Sequence, residues 1–216
     1  MTRVLVTGAS GFIGRVLCRD LKDAGFDVTG TTRATRPFDH HLFDPVETGE
    51  IGADTDWKEA LKDATLVVHL AGRAHVMNER ASAAMALYRR VNMEGTKCLA
   101  EAAAAGGVRR FVFLSTVKVN GERNRERPFT ETDAPSPKNP YDISKWEAEQ
   151  ALAECAARTG LEVVILRPPL VYGPGVKGNF LSLLRVCNSP LPLPLGAVRN
   201  RRSLIYVGNL TNAILT

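Results

Sequence analysis

Five short runs rich in apolar and β-branched residues recur along the chain, with helical stretches between them, and this alternation limits the fold more than any other feature. The runs are 3–7 (RVLVT), 27–33 (DVTGTTR), 64–72 (ATLVVHLAG), 109–115 (RRFVFLS) and 161–168 (LEVVILRP). A sixth, shorter strand is expected in the loop 34–55, near HHLF. Strands that are apolar along their whole length are buried on both faces. Repeated strand–helix–strand units place such strands in parallel under helices on both sides. The expected helices are 11–25, with Phe12, Ile13, Val16, Leu17 and Leu21 at helical spacing; a short one at 56–63; an alanine-rich one at 84–105; and 141–159.

Between the first strand and the first helix lies VTGASGFIG, with Gly8, Gly11 and Gly14. Glycine there permits a tight turn, brings backbone N–H groups up to a pyrophosphate at the helix N-terminus, and lets helix and strand pack closely. The spacing is GxxGxxG rather than GxGxxG, and a glycine-rich turn in another α/β protein shares it. Its place after a strand and before a helix points to dinucleotide binding by Gly8, Ser10, Gly11, Phe12, Ile13 and Gly14. The second strand ends at Arg33, followed by Arg36, with no acid at that end. An acid there binds the ribose 2′-OH of NAD, whereas arginine suits the 2′-phosphate of NADP. NADP(H) is therefore favoured over NAD(H), although two solvated loop arginines are the other reading.

Charge and cysteines narrow the classes. The net charge is +5, but the basic clusters at Arg123–Arg127 and Arg199–Arg202 have no interleaved aromatics. That favours a site for an anionic small molecule over a nucleic-acid groove. Cys18, Cys98, Cys155 and Cys187 show neither metal nor CxxC spacing, which fits free thiols in a reducing compartment and no metal. A strand starts at residue 3, leaving no room for a signal peptide, and no apolar run has membrane-spanning length. A cytoplasmic protein with no membrane partner is expected.

The chemistry concentrates in NPYDISKWEAE, 139–149, where Tyr141 stands four residues before Lys145 and so shares a helical face with it. An exposed helical pair has the same spacing. GxxGxxG, HLAG, VNMEGT, FLST, YxxxK and LRPPLVYGPG follow one another in this order. As an ensemble they resemble the extended short-chain dehydrogenase/reductases, specifically the NAD(P)-dependent epimerase/dehydratase family acting on nucleotide sugars. STVKVNGE, PYDISKWEAEQAL and RPPLVYGPGVKGNF are similar to the UDP-sugar 4-epimerases and 4-ketoreductases of bacterial surface polysaccharide synthesis.

The resemblance implies a Rossmann-type doubly wound parallel α/β sheet with a small C-terminal substrate-binding portion that looks truncated. Residues 1–168 are then the dinucleotide-binding domain and 169–216 the start of an incomplete substrate domain. It implies that Tyr141 exchanges a proton with the sugar and that Lys145 also binds nicotinamide-ribose hydroxyls. Bringing a phenol from about 10 to neutral pH takes about three units, and one nearby cation supplies about 1–3. The positive charge of oxidised nicotinamide would add to that of Lys145. Thr116 is implied as the hydroxyl on the reacting oxygen, with Ser115 in support. Leu70, Ala71, Gly72, Asn92 and Pro168 are implied along the cofactor, and Asn179 and Arg202 at the sugar-nucleotide phosphates. The expected partner is a UDP-sugar, and a homodimer through helices of the fold is implied.

The departures are also informative. Dehydratases of this family carry Asp-Glu after the threonine, and here Val117 and Lys118 stand instead, which disfavours dehydration. Asn120 replaces a tyrosine, and Asn209 an aspartate. His69, inside an apolar strand, reads as a satisfied core histidine, and His75 as a loop residue near substrate. A terminal stripe, Leu210, Ile214 and Leu215, has almost no helix to carry it, so 170–216 is expected to be mobile or to pack on a partner, with UDP-sugar held weakly. The alternative function is a non-catalytic dinucleotide-binding protein or an inactive fragment of such an enzyme.

Overall fold

The computed structural model describes residues 2–33, 41–74, 81–123, 127–190 and 199–216, with backbone alone at 81–83. Six parallel strands form one sheet: β1 Arg3–Thr7, β2 Asp27–Thr32, β3 Asp44–Glu47, β4 Leu66–His69, β5 Arg110–Leu114 and β6 Glu162–Leu166. Their order is β3-β2-β1-β4-β5-β6. This is the doubly wound Rossmann arrangement, and the order reverses between β1 and β4. There Val6 registers with Gly30 on one side and Thr7 with His69 on the other.

Alternating side chains feed two cores. Leu5, Val67, Phe111 and Phe113 face one side, with Trp57, Leu99 and Leu152. Val4, Val6, Val28, Val68 and Val112 face the other, with Leu17, Leu21 and Phe43. Helix α1, Phe12–Asp23, covers the second side. Helices α3, Gly95–Ala105, and α4, Pro140–Thr159, cover the first. Burial on both faces is what continuous apolar strands demand.

Local chemistry sets the helix ends. Asn139 caps α4, its Oδ1 accepting from the Asp142 N–H at 3.1 Å, with Pro140 in the first turn. Gly160 closes the helix at φ +75°, donating to the Ala156 carbonyl at 2.9 Å. Position 14 is tighter still. A Cβ on Gly14 would lie 2.2 Å from the Gly8 carbonyl oxygen and 2.7 Å from the Ala9 Cα, both backbone. Gly14→Ala is accordingly expected to destabilise the protein by about 2–3 kcal/mol, read as a lower urea midpoint. An unchanged midpoint would show that α1 slides on β1 at no cost.

Four local expectations need correction. The small strand falls at 44–47, just beyond HHLF. Residues 56–63 form consecutive turns, not a helix: Asp56 Oδ1 accepts from the Lys58 N–H, and a single helical turn joins the Leu61 N–H to the Trp57 carbonyl. One turn without propagation is the costly part of a helix. The helix expected at 84–105 begins earlier, as α2, Ala81–Tyr88, and widens into a π segment, Arg89–Glu94, before α3.

The last correction concerns the C-terminus. Two short parallel strands, β7 Leu170–Tyr172 and β8 Leu204–Tyr206, pair beside α5, Gly178–Cys187, which buries no residue. Leu170, Leu183, Leu184, Val186, Leu204 and Tyr206 are exposed here. The final helix, α6 Val207–Leu215, is nine residues long and docks on α1. Thr211 Oγ donates to Asp20 Oδ2 at 2.6 Å, and Ile214 and Leu215 pack against the second core. The terminal stripe is therefore carried by a nine-residue helix, with Leu210 buried and Ile214 and Leu215 partly buried against the second core.

Candidate active site

Ligands of open α/β sheets gather at the carboxyl ends of the strands where the order reverses, here the ends of β1 and β4. Gly8 leaves β1 at φ +69°, and the Gly11 N–H returns to its carbonyl at 2.9 Å. Gly11 enters α1 in an extended conformation with no capping side chain, and the first turn holds no acid. A Cβ on Gly8 or Gly11 would close to about 3.0 Å on backbone, so glycine keeps this turn low. Uncapped N–H groups at a helix N-terminus make an anion cradle. Ser10, Phe12 and Ile13 flank it, half-buried.

The loop after β4 joins this cradle to the rest of the edge. Leu70 packs partly into the second core. The Ala71 N–H donates to Thr7 Oγ at 3.1 Å. Thr7 Oγ lies 2.6 Å from His69 Nδ1, and His69 Nε2 lies 3.0 Å from Thr96 Oγ. Thr96 spends its single hydroxyl proton on the Asn92 carbonyl at 2.6 Å. It must therefore accept from His69 Nε2–H, which leaves Nδ1 to accept from Thr7. Each hydrogen has one place to go, and His69 is a neutral core residue, as its strand position implied. Burial pushes its pKa down to about 3, and the Lys145 charge adds to this.

Asn92 sits in the π segment, buried. Its Oδ1 accepts from the Arg73 N–H at 2.8 Å, and its Nδ2 donates to the Arg73 carbonyl at 3.0 Å and to Ser144 Oγ at 2.9 Å. Ser144 in turn donates to the Tyr141 carbonyl at 2.8 Å. One amide thus ties the β4 loop to the turn of α4 that carries Tyr141 and Lys145. Single-turn π widening inside a helix is frequent at functional sites.

Lys145 is 4% exposed, with Nζ 4.0 Å from the centre of the Phe113 ring. A Cβ on Gly72 would lie 3.9 Å from the same Nζ. Burial drives the Lys145 pKa down to about 7, and the Glu149 charge resists this. The Tyr141 ring meets Tyr88 edge-on at 6.1 Å. Its phenol is pushed up to about 12, first by burial, then by Asp142 and Tyr88. A phenol drawn down by Lys145 was the expectation, and in the protein alone the direction is opposite. Desolvation of the phenolate raises the pKa, and the neighbouring Asp142 charge raises it further.

Thr116 stands two residues beyond β5, buried, and its Oγ accepts from the Lys118 N–H at 3.3 Å. The 3-10 turn that follows, Val117–Val119, packs on α4. Pro168 stands behind it, its carbonyl accepting from the Val117 N–H at 3.1 Å. Arg33, Asn179 and Arg202 are exposed. Arg36 and His75 lie outside the described residues.

Sequence reasoning missed a buried polar cluster beside these residues. Ser115 Oγ donates to Glu149. Arg167 Nε donates to both Glu149 oxygens, at 3.0 and 3.1 Å, and its Nη1 donates to Asn120 Oδ1 at 3.2 Å. Asn120 Nδ2 donates onward to the Thr130 carbonyl at 3.3 Å. This accounts for the asparagine at 120: an amide both accepts from Arg167 and donates to the loop. The one legible signal was Glu149, four residues after Lys145. Among the described residues no group of three or more His, Cys, Asp or Glu could hold a metal ion, and no helix is long and apolar enough to cross a membrane.

A family model described as the NAD dependent epimerase/dehydratase family matches residues 4–216. The chain belongs to that family. Within the epimerase/dehydratase family it is similar to a UDP-glucose 4-epimerase of Vibrio cholerae, 44% identical over 217 residues, covering 99% of this chain and 65% of that protein. It is also similar to an N-acetyl-alpha-D-glucosaminyl-diphospho-ditrans,octacis-undecaprenol 4-epimerase of Escherichia coli O157:H7, 30% identical, covering 98% of this chain and 61% of that protein. The chain thus spans somewhat under two thirds of the length of these relatives. Among solved structures, a UDP-glucuronic acid 4-epimerase from Bacillus cereus in complex with NAD superposes with a TM-score of 0.83 at 26% identity, covering 99% of this chain and 72% of that one. MoeE5 in complex with UDP-glucuronic acid and NAD gives 0.78 at 29% identity, covering 99% and 71%.

Proposed function

We propose that the chain binds a nicotinamide dinucleotide at the glycine turn and acts at C4 of a nucleotide sugar, in the first place as a UDP-sugar 4-epimerase. One observation carries this reading. The loop 70–73 packs on the Gly8 turn at one end and meets Lys145 and Asn92 at the other, so the anion cradle and the proton-transfer pair share one edge. The uncapped α1 terminus and its glycines fit a dinucleotide diphosphate. Gly8, Ser10, Gly11, Phe12, Ile13 and Gly14 would hold it, with Leu70, Ala71, Gly72, Asn92 and Pro168 alongside. Lys145 would donate to the ribose hydroxyls. When bound, the dinucleotide supplies the hydride acceptor and donor. Thr116 hydrogen-bonds the reacting oxygen while Tyr141 exchanges its proton. Asn179 and Arg202 face the sugar-nucleotide diphosphate, for which a guanidinium fork is suited.

The relatives named as 4-epimerases support this reaction. A 4-ketoreductase is the second reading, and one observation favours it: burial keeps the Tyr141 phenol protonated, the form that donates to a ketone oxygen. A panel of UDP-hexoses and UDP-4-keto-sugars with NADH and NADPH separates the two. Epimerisation interconverts UDP-hexoses with no net use of dinucleotide, whereas reduction consumes it one for one. Tight dinucleotide binding with no turnover of any sugar would overturn the proposal in favour of a non-catalytic dinucleotide-binding protein.

The solved neighbours are named with NAD. In this chain Arg33, exposed at the end of β2, is proposed to give NADP(H) the advantage. A charge-assisted hydrogen bond contributes about 1.5–3 kcal/mol. Arg33→Ala should therefore weaken NADPH by about 10- to 100-fold and leave NADH nearly unchanged. Equal losses, or a parent protein that prefers NADH, would overturn the cofactor assignment.

A further inference from the structure

We propose that Glu149 is a positioning residue, tying the charge of Lys145 and the seat of Thr116 to one buried ion pair. This rests on the dinucleotide and proton-transfer reading given above. Tyr141, Lys145 and Glu149 lie at successive one-turn intervals on α4. Glu149 is 2% exposed, and an isolated carboxylate at that depth would be costly. Arg167, from the end of β6, grips both its oxygens. The loop that carries Thr116 is held at both ends by this pair: Ser115 by Glu149, and Asn120 by Arg167. The backbone adds two further ties, from the Ser115 N–H to the Leu166 carbonyl at 2.7 Å and from the Val117 N–H to the Pro168 carbonyl. Thr116 thus has little freedom to leave the face of α4.

Among the described residues, Lys145 is faced by Glu149 from its own helix, neutral His69 from β4 and the Phe113 ring from β5. Of these, Glu149 is the anion that keeps the buried ammonium charged. Arg167 moderates that anion without touching Lys145. The two partners should therefore act on Lys145 with opposite signs, which a purely structural ion pair would not do.

The test needs no sugar substrate. Urea unfolding of the protein alone is followed from pH 6 to pH 9.5 for the parent, E149Q, R167Q and the double variant E149Q/R167Q, each with and without Lys145→Met. In the fold Lys145 sheds its proton near pH 7, and in the unfolded chain near 10.5. The unfolded chain therefore binds more protons across that window, and Lys145 makes stability rise with pH there. The rise should set in about one pH unit lower in E149Q, and likewise in the double variant, which leaves no unpaired charge to prevent folding. It should set in higher in R167Q. All three displacements should vanish with Lys145→Met. An onset that does not move in the double variant, or one that moves equally without Lys145, overturns the proposal. NADH titration of the parent judges the dinucleotide reading separately: failure to bind sinks that reading, while the unfolding series still decides this one.

Discussion

Tyr141→Phe is expected to lower turnover of a UDP-hexose or UDP-4-keto-sugar by about 10²- to 10⁴-fold, the span of a general acid–base contribution. NADH and NADPH affinity should stay within a few-fold of the parent. The substitution removes one oxygen. The ring that meets Tyr88 edge-on remains, as does the Tyr141 carbonyl that holds Ser144. The residue's place in α4 is thus kept while its proton is lost. Because burial holds this phenol protonated at about 12, the reductive direction begins from the reactive form. The oxidative direction needs added positive charge before Tyr141 can accept a proton. Turnover in the oxidative direction should therefore rise with pH more steeply than in the reductive one. Full turnover by Tyr141→Phe would remove the proton-transfer role.

What the sequence showed, it showed through period and position. Val4 to Val6, Val67 with Val68, and Phe111 to Phe113 are buried on alternating faces, so a run apolar on both sides reads directly as a central parallel strand. The start of α4 was legible because Asn139 and Pro140 are local signals. The π segment was not. Its widening leaves the composition of an alanine-rich helix unchanged, and the Asn92 clamp on Arg73 that it carries spans 19 residues of sequence. The turns at 56–63 were misread because Asp56 and the spacing of Trp57 and Leu61 mimic a helix start that never propagates. Ser115, Glu149 and Arg167 are separated by 34 and 18 residues, and no periodicity links them. Only folding α4 against the ends of β5 and β6 brings them together. The 170–206 stretch gave the weakest signal, in keeping with α5, which buries no side chain.

Lys145→Met should separate stability from function more sharply than any other change. Lysine has a pKa of 10.5 when unfolded and about 7 in this fold, so its burial as an ammonium works against folding. That cost is fully present below pH 7 and is relieved as pH rises towards 10.5. Glu149 and the face of the Phe113 ring offset part of it. Methionine has similar length, carries no charge and packs well against an aromatic ring. The variant should therefore be more stable than the parent at pH 6, by about 1–3 kcal/mol, with the difference shrinking towards pH 10. With the proposed donor to the ribose removed, a charge-assisted contribution of about 1.5–3 kcal/mol, dinucleotide affinity should fall about 10- to 100-fold. Turnover should fall further, because Lys145 is proposed to take part in proton transfer as well as in dinucleotide binding. A buried cation that works against folding is the kind of cost natural proteins concentrate at functional sites. If Lys145→Met is instead less stable than the parent at pH 6, the ammonium is at home in its pocket, and the argument from burial fails along with the pH dependence drawn from it.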